Sequence, residues 1–144
     1  MASQNYANHR QLVPMFHGVL FGIIVLTLIG SVVNLVQSLG DHQRLYSASL
    51  IVAVCVALVL LFFFTRIFAL KAQDRAIRAE ENLRHFAIAG KLLDPRLGTQ
   101  QVVALRFASD GEFVALAQRA AQEGMAPDNI KRSIKEWRAD TYRV

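Results

Sequence analysis

Two long stretches without any charged residue constrain this chain more than any other feature. No Lys, Arg, Asp or Glu occurs in residues 11–40 or in residues 45–65. A helix needs roughly 20 apolar residues to cross the hydrocarbon core of a bilayer. The composition, 53% hydrophobic and 19% charged, also argues against a disordered chain. The pattern predicts two transmembrane helices, over residues 13–36 and 46–65.

A cleavable signal peptide is the alternative for the first stretch, with Ser38 and Gly40 as small residues before a cut. The apolar core of a signal peptide is only about 7–15 residues long. Residues 13–36 are much longer than this, so we expect the segment to stay in the membrane as the first of two spans.

The positions of the basic residues predict the orientation of the two spans. The connector, residues 37–45, is short and nearly neutral, whereas Arg66 and Lys71 closely follow the second span and Arg10 precedes the first. Short basic flanks stay on the cytoplasmic side of a membrane. We therefore expect a cytoplasmic segment over residues 1–12, a periplasmic connector and a cytoplasmic C-terminal part. This describes a multi-pass protein of the bacterial inner membrane with both termini in the cytoplasm.

Small residues at helical spacing predict how the two spans pack. Where lipid removes the hydrophobic drive between helices, small residues let two backbones approach closely. If Pro14 and Thr65 share one membrane depth, the small residues of both spans face each other in an antiparallel hairpin. Self-association of two copies through the GxxxG spacing is the alternative. The predicted helix-packing residues are Gly18, Gly22, Gly30, Ser49, Ala53 and Ala57.

Polar residues form a second pattern along the first span. Lipid cannot satisfy polar groups, so a polar stripe in a span normally faces protein. The second span is too apolar to satisfy this seam. The pattern therefore predicts contact with another integral membrane subunit or with a second copy of the chain. The partner-facing seam consists of His17, Thr27, Ser31, Asn34 and Ser38.

Patterns for catalysis and for metal binding are absent from the sequence. It contains no glycine-rich phosphate loop, no HExxH helix and no supported catalytic triad, so we expect no enzymatic activity, no catalytic residue and no metal site. Neutral imidazole can ligate a tetrapyrrole, which makes His17 the one candidate cofactor ligand. Contacts with water or headgroups at the membrane boundary are the simpler interpretation of this residue, and no cofactor is otherwise predicted.

The second span is predicted to continue into the cytoplasm as a helical stalk over residues 66–90. No Pro or Gly interrupts the chain between Arg66 and Gly90, and this glycine is a stop signal. The acidic-first pairs Asp74–Arg78 and Glu80–Arg84 favour an exposed helix. One side carries a thin apolar stripe that suits contact with another helix, although a solvated stalk is the alternative. The stripe comprises Ala69, Ala72, Ala76, Ala79, Leu83 and Phe86.

Cap residues predict three short helices in the tail, residues 91–144. Thr99 is the predicted N-cap of the first. Ser109 and Glu112 have the spacing of a capping box at the start of the second. Pro127 suits the first position of the third, because its missing N–H is not needed there.

The apolar residues of the tail are predicted to form one small core. Ile130, Ile134 and Trp137 follow the i, i+4, i+7 spacing of an amphipathic helix. A core of this size without a disulfide or metal is marginal. The tail is therefore expected to pack against the stalk, the membrane or a partner. The predicted core residues are Phe107, Phe113, Ile130, Ile134 and Trp137.

The last helix is basic, but its pattern does not indicate nucleic acid. Lys131, Arg132, Lys135 and Arg138 are interrupted by Glu136. No stacking aromatic residues alternate with them as in proteins that bind single strands. Such a face could attract the anionic lipids of the inner leaflet, and a solvated helix face is the simpler alternative.

Several stretches of this sequence resemble a known family. They are Gln4–His9, Pro14–Gly18, Val103–Asp110 and Ile130–Val144. Together they resemble an uncharacterised bacterial family of short two-span membrane proteins, a domain of unknown function. The resemblance covers nearly the whole chain and implies architecture and bacterial origin but no activity. Ala126 departs from the Ser-like cap expected before the last helix.

Taken together, these patterns predict an all-α membrane protein. Its fold is a two-helix transmembrane hairpin, with the second span extended as a cytoplasmic stalk and followed by a small three-helix tail. The predicted function is a non-catalytic accessory or scaffold subunit of a larger membrane complex, which contacts its partners through the first span and the cytoplasmic helices. The alternative is a cofactor- or pigment-contacting subunit of a membrane electron-transfer or photosynthetic complex, with His17 as the ligand.

Overall fold

A computed structural model of the chain describes residues 4–9 and 12–140, so Arg10, Arg143 and Val144 lie outside the described residues. Within those ranges the regular structure is helical and no strand occurs, which confirms the all-α prediction. A π-helical turn at Met15–Leu20 leads directly into the first α-helix. The α-helices are α1 (Phe21–Gln37), α2 (His42–Ala89), α3 (Thr99–Leu105), α4 (Asp110–Glu123) and α5 (Pro127–Ser133).

Two helical segments are long and apolar enough to cross a membrane, as the charge-free stretches predict. They are Met15–Gln37 and α2. Only 11% of the most apolar window of each is buried inside the structure. The core helix of a soluble protein is mostly buried, whereas the apolar windows of these two helices are mostly exposed.

Helix α2 is one continuous element from His42 to Ala89. Asp41 caps its start, because its Oδ1 accepts hydrogen bonds from the backbone N–H of Gln43 at 3.1 Å and of Arg44 at 3.2 Å. The helix ends at Gly90, whose φ of 70° lies in the left-handed region that glycine enters at no steric cost. The predicted stop at this glycine is confirmed.

The described residues fold as two compact units. The first, which we call the helix-pair unit, covers residues 12–69. Phe16 stacks on Phe62 in this unit with ring centroids 4.4 Å apart, and the ring centroids of Phe21 and Phe62 are 5.3 Å apart. These contacts join the start of the first helical segment to a point 20 residues along α2, so the two helices run antiparallel.

The second unit, which we call the tail unit, combines residues 4–9 with residues 70–140. Four of the five predicted core residues are buried in it, and Trp137 packs against them partly buried. Burial of such side chains stabilises a fold by about 1.5–3 kcal/mol for each large residue. The largest fully buried side chains are Leu97, Val102, Leu105, Phe107, Phe113 and Ile130.

The three predicted tail helices are present, but the first is capped differently. Gly98, not Thr99, is the N-cap residue of α3, and its N–H donates to Gln101 Oε1 at 2.7 Å. Thr99 is instead the first helical residue, and its Oγ1 accepts a hydrogen bond from Arg78 Nη1 at 3.1 Å. The Gln101 side chain therefore satisfies the N–H of Gly98, whereas the hydroxyl of Thr99 pairs with Arg78 instead of capping the helix.

The predicted capping box at Ser109 is also wrong in its hydrogen bonds. Ser109 is the N-cap residue of α4 but makes no side-chain cap bond. The two carboxylate oxygens of Glu112 accept from the backbone N–H groups of Lys135 at 3.2 Å and Glu136 at 3.1 Å. Glu112 therefore joins α4 to the segment after α5, a partner that local spacing does not reveal.

Helix α5 ends at Ser133, so the predicted amphipathic helix through Trp137 is wrong. Ile134 is extended, with ψ of 123°, and the chain then runs beside residues 107–109. Arg138 N–H donates to the carbonyl of Phe107 at 2.7 Å, and Ala108 and Trp137 form an isolated β-bridge. Ile134 and Trp137 still reach the core because the extended backbone turns them back toward it.

Candidate interaction surfaces

Most of the polar seam on the first helical segment is satisfied by its own backbone. Hydroxyl groups in a helix can donate to the carbonyl three or four residues earlier. A hydroxyl that does so needs no hydrogen-bond acceptor on a partner protein. The three bonds run from Thr27 to Ile23 at 2.7 Å, from Ser31 to Leu28 at 2.8 Å and from Ser38 to Asn34 at 2.8 Å.

The residues of the seam on α1 also differ in burial, although they share one side of the helix. Ser31 and Ser38 are buried, whereas Thr27 and Asn34 are exposed. The carboxamide of Asn34 makes no side-chain hydrogen bond within residues 4–9 and 12–140. A primary amide has two donors and an acceptor to satisfy, so the Asn34 side chain still needs hydrogen-bond partners. Gly30 and Thr27 lie near it on the exposed flank.

The small residues of the two spans do not meet as the sequence pattern predicts. A Cβ placed on Gly18, Gly22 or Gly30 has no atom within 4 Å beyond its own helix. Exposed positions on α2 include Ser49, Ala53 and Ala57. The buried residues of the helix-pair unit are, instead, Ile24, Ser31 and Ser38 before the turn and Ala48 and Cys55 after it.

Each helix is turned by the angle of one residue relative to the predicted packing, and this explains the difference. The Phe16–Phe62 stack sets an antiparallel register that brings Ser31 level with Ala48 to within one residue. That register agrees with the depth assumed from the sequence. The buried residues at this level are Ser31 and Ala48, however, each one residue away from the predicted packing residues Gly30 and Ser49. One residue turns a helix by about 100°, which moves the small residues out of the interface.

His17, the candidate cofactor ligand, is half-buried in the π-helical turn. Its Nδ1 lies 3.1 Å from both the backbone nitrogen and the backbone oxygen of Val13. Its ring also meets Phe16 edge to face, with centroids 5.1 Å apart. Among the described residues, no three His, Cys, Asp or Glu side chains are grouped so that they could hold a metal ion.

In the tail unit, α2 buries its charged side. Glu81 is only 6% exposed and His85 only 5%. The Nδ1 of His85 donates to the carbonyl of Lys91 at 2.6 Å, and Asn82 accepts from the N–H of Leu93 at 3.2 Å. These bonds hold the connector after Ala89 against the helix.

Arg84 links this charged face to α4. Its guanidinium donates to Glu81 Oε2 at 2.9 Å and to the carbonyl of Ala108 at 2.7 Å. It also contacts Asp110 Oδ1 at 2.6 Å and lies 4.3 Å above the ring of Phe113. A buried guanidinium with this many acceptors fixes orientation, because each acceptor would be costly to leave unpaired.

The i,i+4 pairs predicted on this helix do not form. Arg78 donates to Thr99, and Asp74 accepts from Gln100 Nε2 at 2.6 Å. The predicted partner of Glu80, Arg84, is held by other acceptors. Both predicted pairs are replaced by contacts with other tail-unit residues, because this part of α2 is packed rather than solvated on its charged side.

The opposite side of α2 is apolar and exposed. Leu83 is 68% exposed and Phe86 53%, and the alanines of the same stripe in this unit, Ala72, Ala76 and Ala79, are exposed too. A helix in a soluble domain normally buries its apolar face and exposes its charged one. Here the two faces are exchanged. A contiguous exposed apolar surface of this kind is a candidate interaction site.

The N-terminal segment, residues 4–9, docks on α5 and the chain that follows it. Tyr6 donates its hydroxyl to Asp128 Oδ1 at 2.7 Å, and Asp140 N–H donates to Gln4 Oε1 at 2.7 Å. The ring of His9 lies between Phe107 and Trp137, about 6 Å from each. Sequence reasoning missed this contact, and the resemblance of Gln4–His9 to a family motif was the only signal available for it.

Two carboxylates of the tail unit have lowered pKa values. The side chain and backbone N–H of Arg96 donate to Asp94 and lower its pKa from 3.8 to about 2. The Tyr6 hydroxyl, followed by the positive charges of Arg132 and Lys131, lowers the pKa of Asp128. Asp128 is exposed and Asp94 is partly exposed, so these shifts describe local pairing.

A shallow pocket of about 250 Å³ lies beside His85. Lys91, Asp94, Arg96 and Gln118 are among the residues that line it. Two of these lining residues, Asp94 and Arg96, form an ion pair with their charged atoms 2.7 Å apart. No convergent set of unpaired polar groups distinguishes this pocket from ordinary surface relief in the described part of the chain.

These features define an all-helical protein with two helices of membrane-spanning length and a compact tail unit. The chain belongs to a family of unknown function (DUF6526), whose sequence model matches residues 1–144. The expected resemblance to an uncharacterised family is thereby confirmed. No curated protein and no solved structure matched the chain significantly.

Proposed function

We propose that this chain is a non-catalytic accessory or scaffold subunit of a larger membrane assembly. Its helix-pair unit is a transmembrane hairpin in the bacterial inner membrane, and both of its termini are cytoplasmic. It contacts other membrane subunits through α1 and presents its tail unit to the cytoplasm.

The docking of residues 4–9 supports the hairpin. Tyr6 lies before both spans and Asp128 lies after them, yet their side chains are hydrogen-bonded. Two groups in direct contact are on the same side of a membrane, so the chain between them crosses it an even number of times. One crossing by each of the two long apolar helices satisfies this condition.

The charges flanking the spans support the cytoplasmic orientation. Arg66, Lys71 and Arg75 follow the second span, while residues 37–45 carry only Asp41 and Arg44, which are paired at 3.3 Å. Lys and Arg are enriched on the cytoplasmic side of short flanks. Alkaline phosphatase fused after Val144 is expected to be inactive, and an active fusion would overturn this orientation.

The observation that carries the proposed role is Asn34. Its carboxamide lies on the exposed flank of α1 with no side-chain hydrogen bond in the described residues, and glycine at position 30 leaves the backbone open beside it. In lipid, an unsatisfied amide is costly and favours a protein partner. We infer that this flank meets a helix of another membrane subunit.

Purification from the native host in a gentle detergent tests the proposal. The wild-type chain is expected to recover membrane partners at constant stoichiometry, and Asn34→Leu to lose them. Val33→Leu is the matched control, because Val33 is the neighbouring exposed position turned about 100° away. A lone wild-type chain, or equal recovery with both variants, would contradict the proposed contact.

A further inference from the structure

The exposed apolar stripe of α2 has the spacing of a coiled-coil seam. Its members in the tail unit are separated by steps of four, three, four and three residues, which is the heptad pattern of alternating a and d positions. Alanine has the highest helix propensity and lets a facing helix approach closely. The seam consists of Ala72, Ala76, Ala79, Leu83 and Phe86, all of them exposed.

The charges beside this seam indicate what faces it. Arg75 comes just before Ala76 at a g position, and Glu80 comes just after Ala79 at an e position. Neither forms an ion pair or a side-chain hydrogen bond in the part of the chain that the structure describes. In a parallel coiled coil, the g residue of one helix lies near the e residue five positions later on its partner. Arg75 and Glu80 are separated by that interval.

We propose that residues 72–86 of α2 form a parallel twofold contact with the same residues of a second copy of this chain. Arg75 of each copy then faces Glu80 of the other, so one surface supplies both complementary charges. An antiparallel arrangement would bring e positions together and place Glu80 against Glu80. The self-complementary pattern therefore selects both the partner and the direction.

Membrane insertion favours this contact. Two copies inserted in the same orientation have parallel α2 helices, and confinement to one membrane raises their effective concentration. A seam of about two heptads, too short for a stable free coiled coil, is sufficient under those conditions. The inference rests on the proposed membrane insertion for this alignment, but not on the identity of any subunit that contacts α1.

Disulfide cross-linking of the full chain in native membranes tests the contact. Cys55→Ala removes the single cysteine, and Ala76→Cys or Ala79→Cys is added to that background. In a parallel twofold seam, each a or d residue meets its own copy. Mild oxidation is therefore expected to produce a band of twice the chain's mass several-fold faster than with Ala115→Cys, an exposed position on α4.

Exchange of the charges at Arg75 and Glu80 distinguishes cross-linking through the seam from cross-linking by random collision of two copies. In the Ala79→Cys background, Arg75→Glu and Glu80→Arg should each slow cross-linking several-fold, because each places like charges across the interface. The double variant should restore the rate, since it reverses both partners together. A rate equal to that of Ala115→Cys, no effect of the charge variants, or an adduct whose mass indicates a different protein would overturn the proposal.

Alkaline carbonate extraction of the same membranes separates this inference from the proposed function. A chain that stays with the membrane but does not cross-link contradicts the dimer alone. A chain released by carbonate contradicts membrane insertion, and the alignment argument for the dimer fails with it. Retention together with rapid cross-linking at both seam positions supports both.

Discussion

Tyr6 donates its hydroxyl to Asp128 at 2.7 Å, although the two residues are separated by both long apolar helices. The guanidinium of Arg132 also donates to this hydroxyl at 3.2 Å and lies 5.2 Å above the tyrosine ring. The hydroxyl is thus shared between an anion and a cation of α5. This small cluster joins the beginning of the chain to its last helix.

Removal of the Tyr6 hydroxyl should raise the pKa of Asp128. The folded pKa of Asp128 lies below its ordinary value of 3.8, so the contact stabilises docking above that value and is lost as the pH falls through the lowered pKa. In Tyr6→Phe, an NMR titration of the Asp128 carboxyl is expected to shift upward toward 3.8. Tyr46→Phe, in the helix-pair unit, is the control. An unchanged titration in Tyr6→Phe would contradict the hydrogen bond.

Replacement of Arg96 should raise the pKa of Asp94. Two hydrogen bonds from the Arg96 side chain and one from its backbone lower the pKa of Asp94 to about 2. Because this folded pKa is depressed, the stabilisation from the pair is complete at neutral pH and is lost between about pH 4 and pH 2. In Arg96→Gln we expect the Asp94 titration to move toward 3.8, measured by NMR. Arg119→Gln, an exposed position on α4, should leave it unchanged.

Glu112 should protect two amides that are remote from it in sequence. Its carboxylate accepts from the backbone N–H of Lys135 and of Glu136, and hydrogen bonds to a charged acceptor are the stronger kind. In Glu112→Ala, hydrogen exchange at residues 135 and 136 is expected to accelerate, with a loss of about 1 kcal/mol in unfolding free energy. Glu123→Ala, at the exposed end of α4, is the matched control. Equal exchange in both variants would exclude this role.

The sequence predicts the ends of helices that single residues determine. Its predictions fail where a residue distant in the chain competes for the same hydrogen bond. The stop at Gly90 and the start at Pro127 follow from backbone constraints of single residues, and both occur in the structure. Glu112 has the correct spacing for a capping box, but amides after α5 compete for its carboxylate. A one-dimensional pattern contains no information about that competition.

The interaction surfaces show the same division. The apolar stripe through Leu83 and Phe86 is evident from spacing alone, and the structure leaves it exposed. The acidic-first pairs favour an exposed charged face on α2, yet Arg84 and His85 pack against the tail. Periodicity identifies which residues share a face, but the surrounding elements decide which face is buried.

Replacement by alanine should lower the unfolding free energy much more at a buried leucine of the tail unit than at an exposed one. Leu105 is fully buried in the core, whereas Leu92 is 64% exposed. Leu105→Ala is expected to lower the unfolding free energy by about 2–5 kcal/mol, because it removes buried methyl groups and leaves a cavity. Leu92→Ala should cost less than about 1 kcal/mol. Chemical denaturation of the full chain in detergent measures both, and similar losses would contradict the assigned core.

Substitutions in the two spans should reveal which residues lie between them. A Cβ added at Gly30 meets no atom within 4 Å beyond its own helix, and its helical backbone accepts alanine. Gly30→Ala is therefore expected to leave the helix pair unchanged, or to stabilise it by up to about 1 kcal/mol through helix propensity. Ala48 is 1% exposed, so Ala48→Leu should overpack the contact and cost about 1–3 kcal/mol. Unfolding of the full chain in mixed detergent, followed by far-UV circular dichroism, measures both effects. If Gly30→Ala were the damaging change and Ala48→Leu the neutral one, the helices would pack through the glycine face. The assignment of Ser31 rather than Gly30 to the space between the helices would then be wrong.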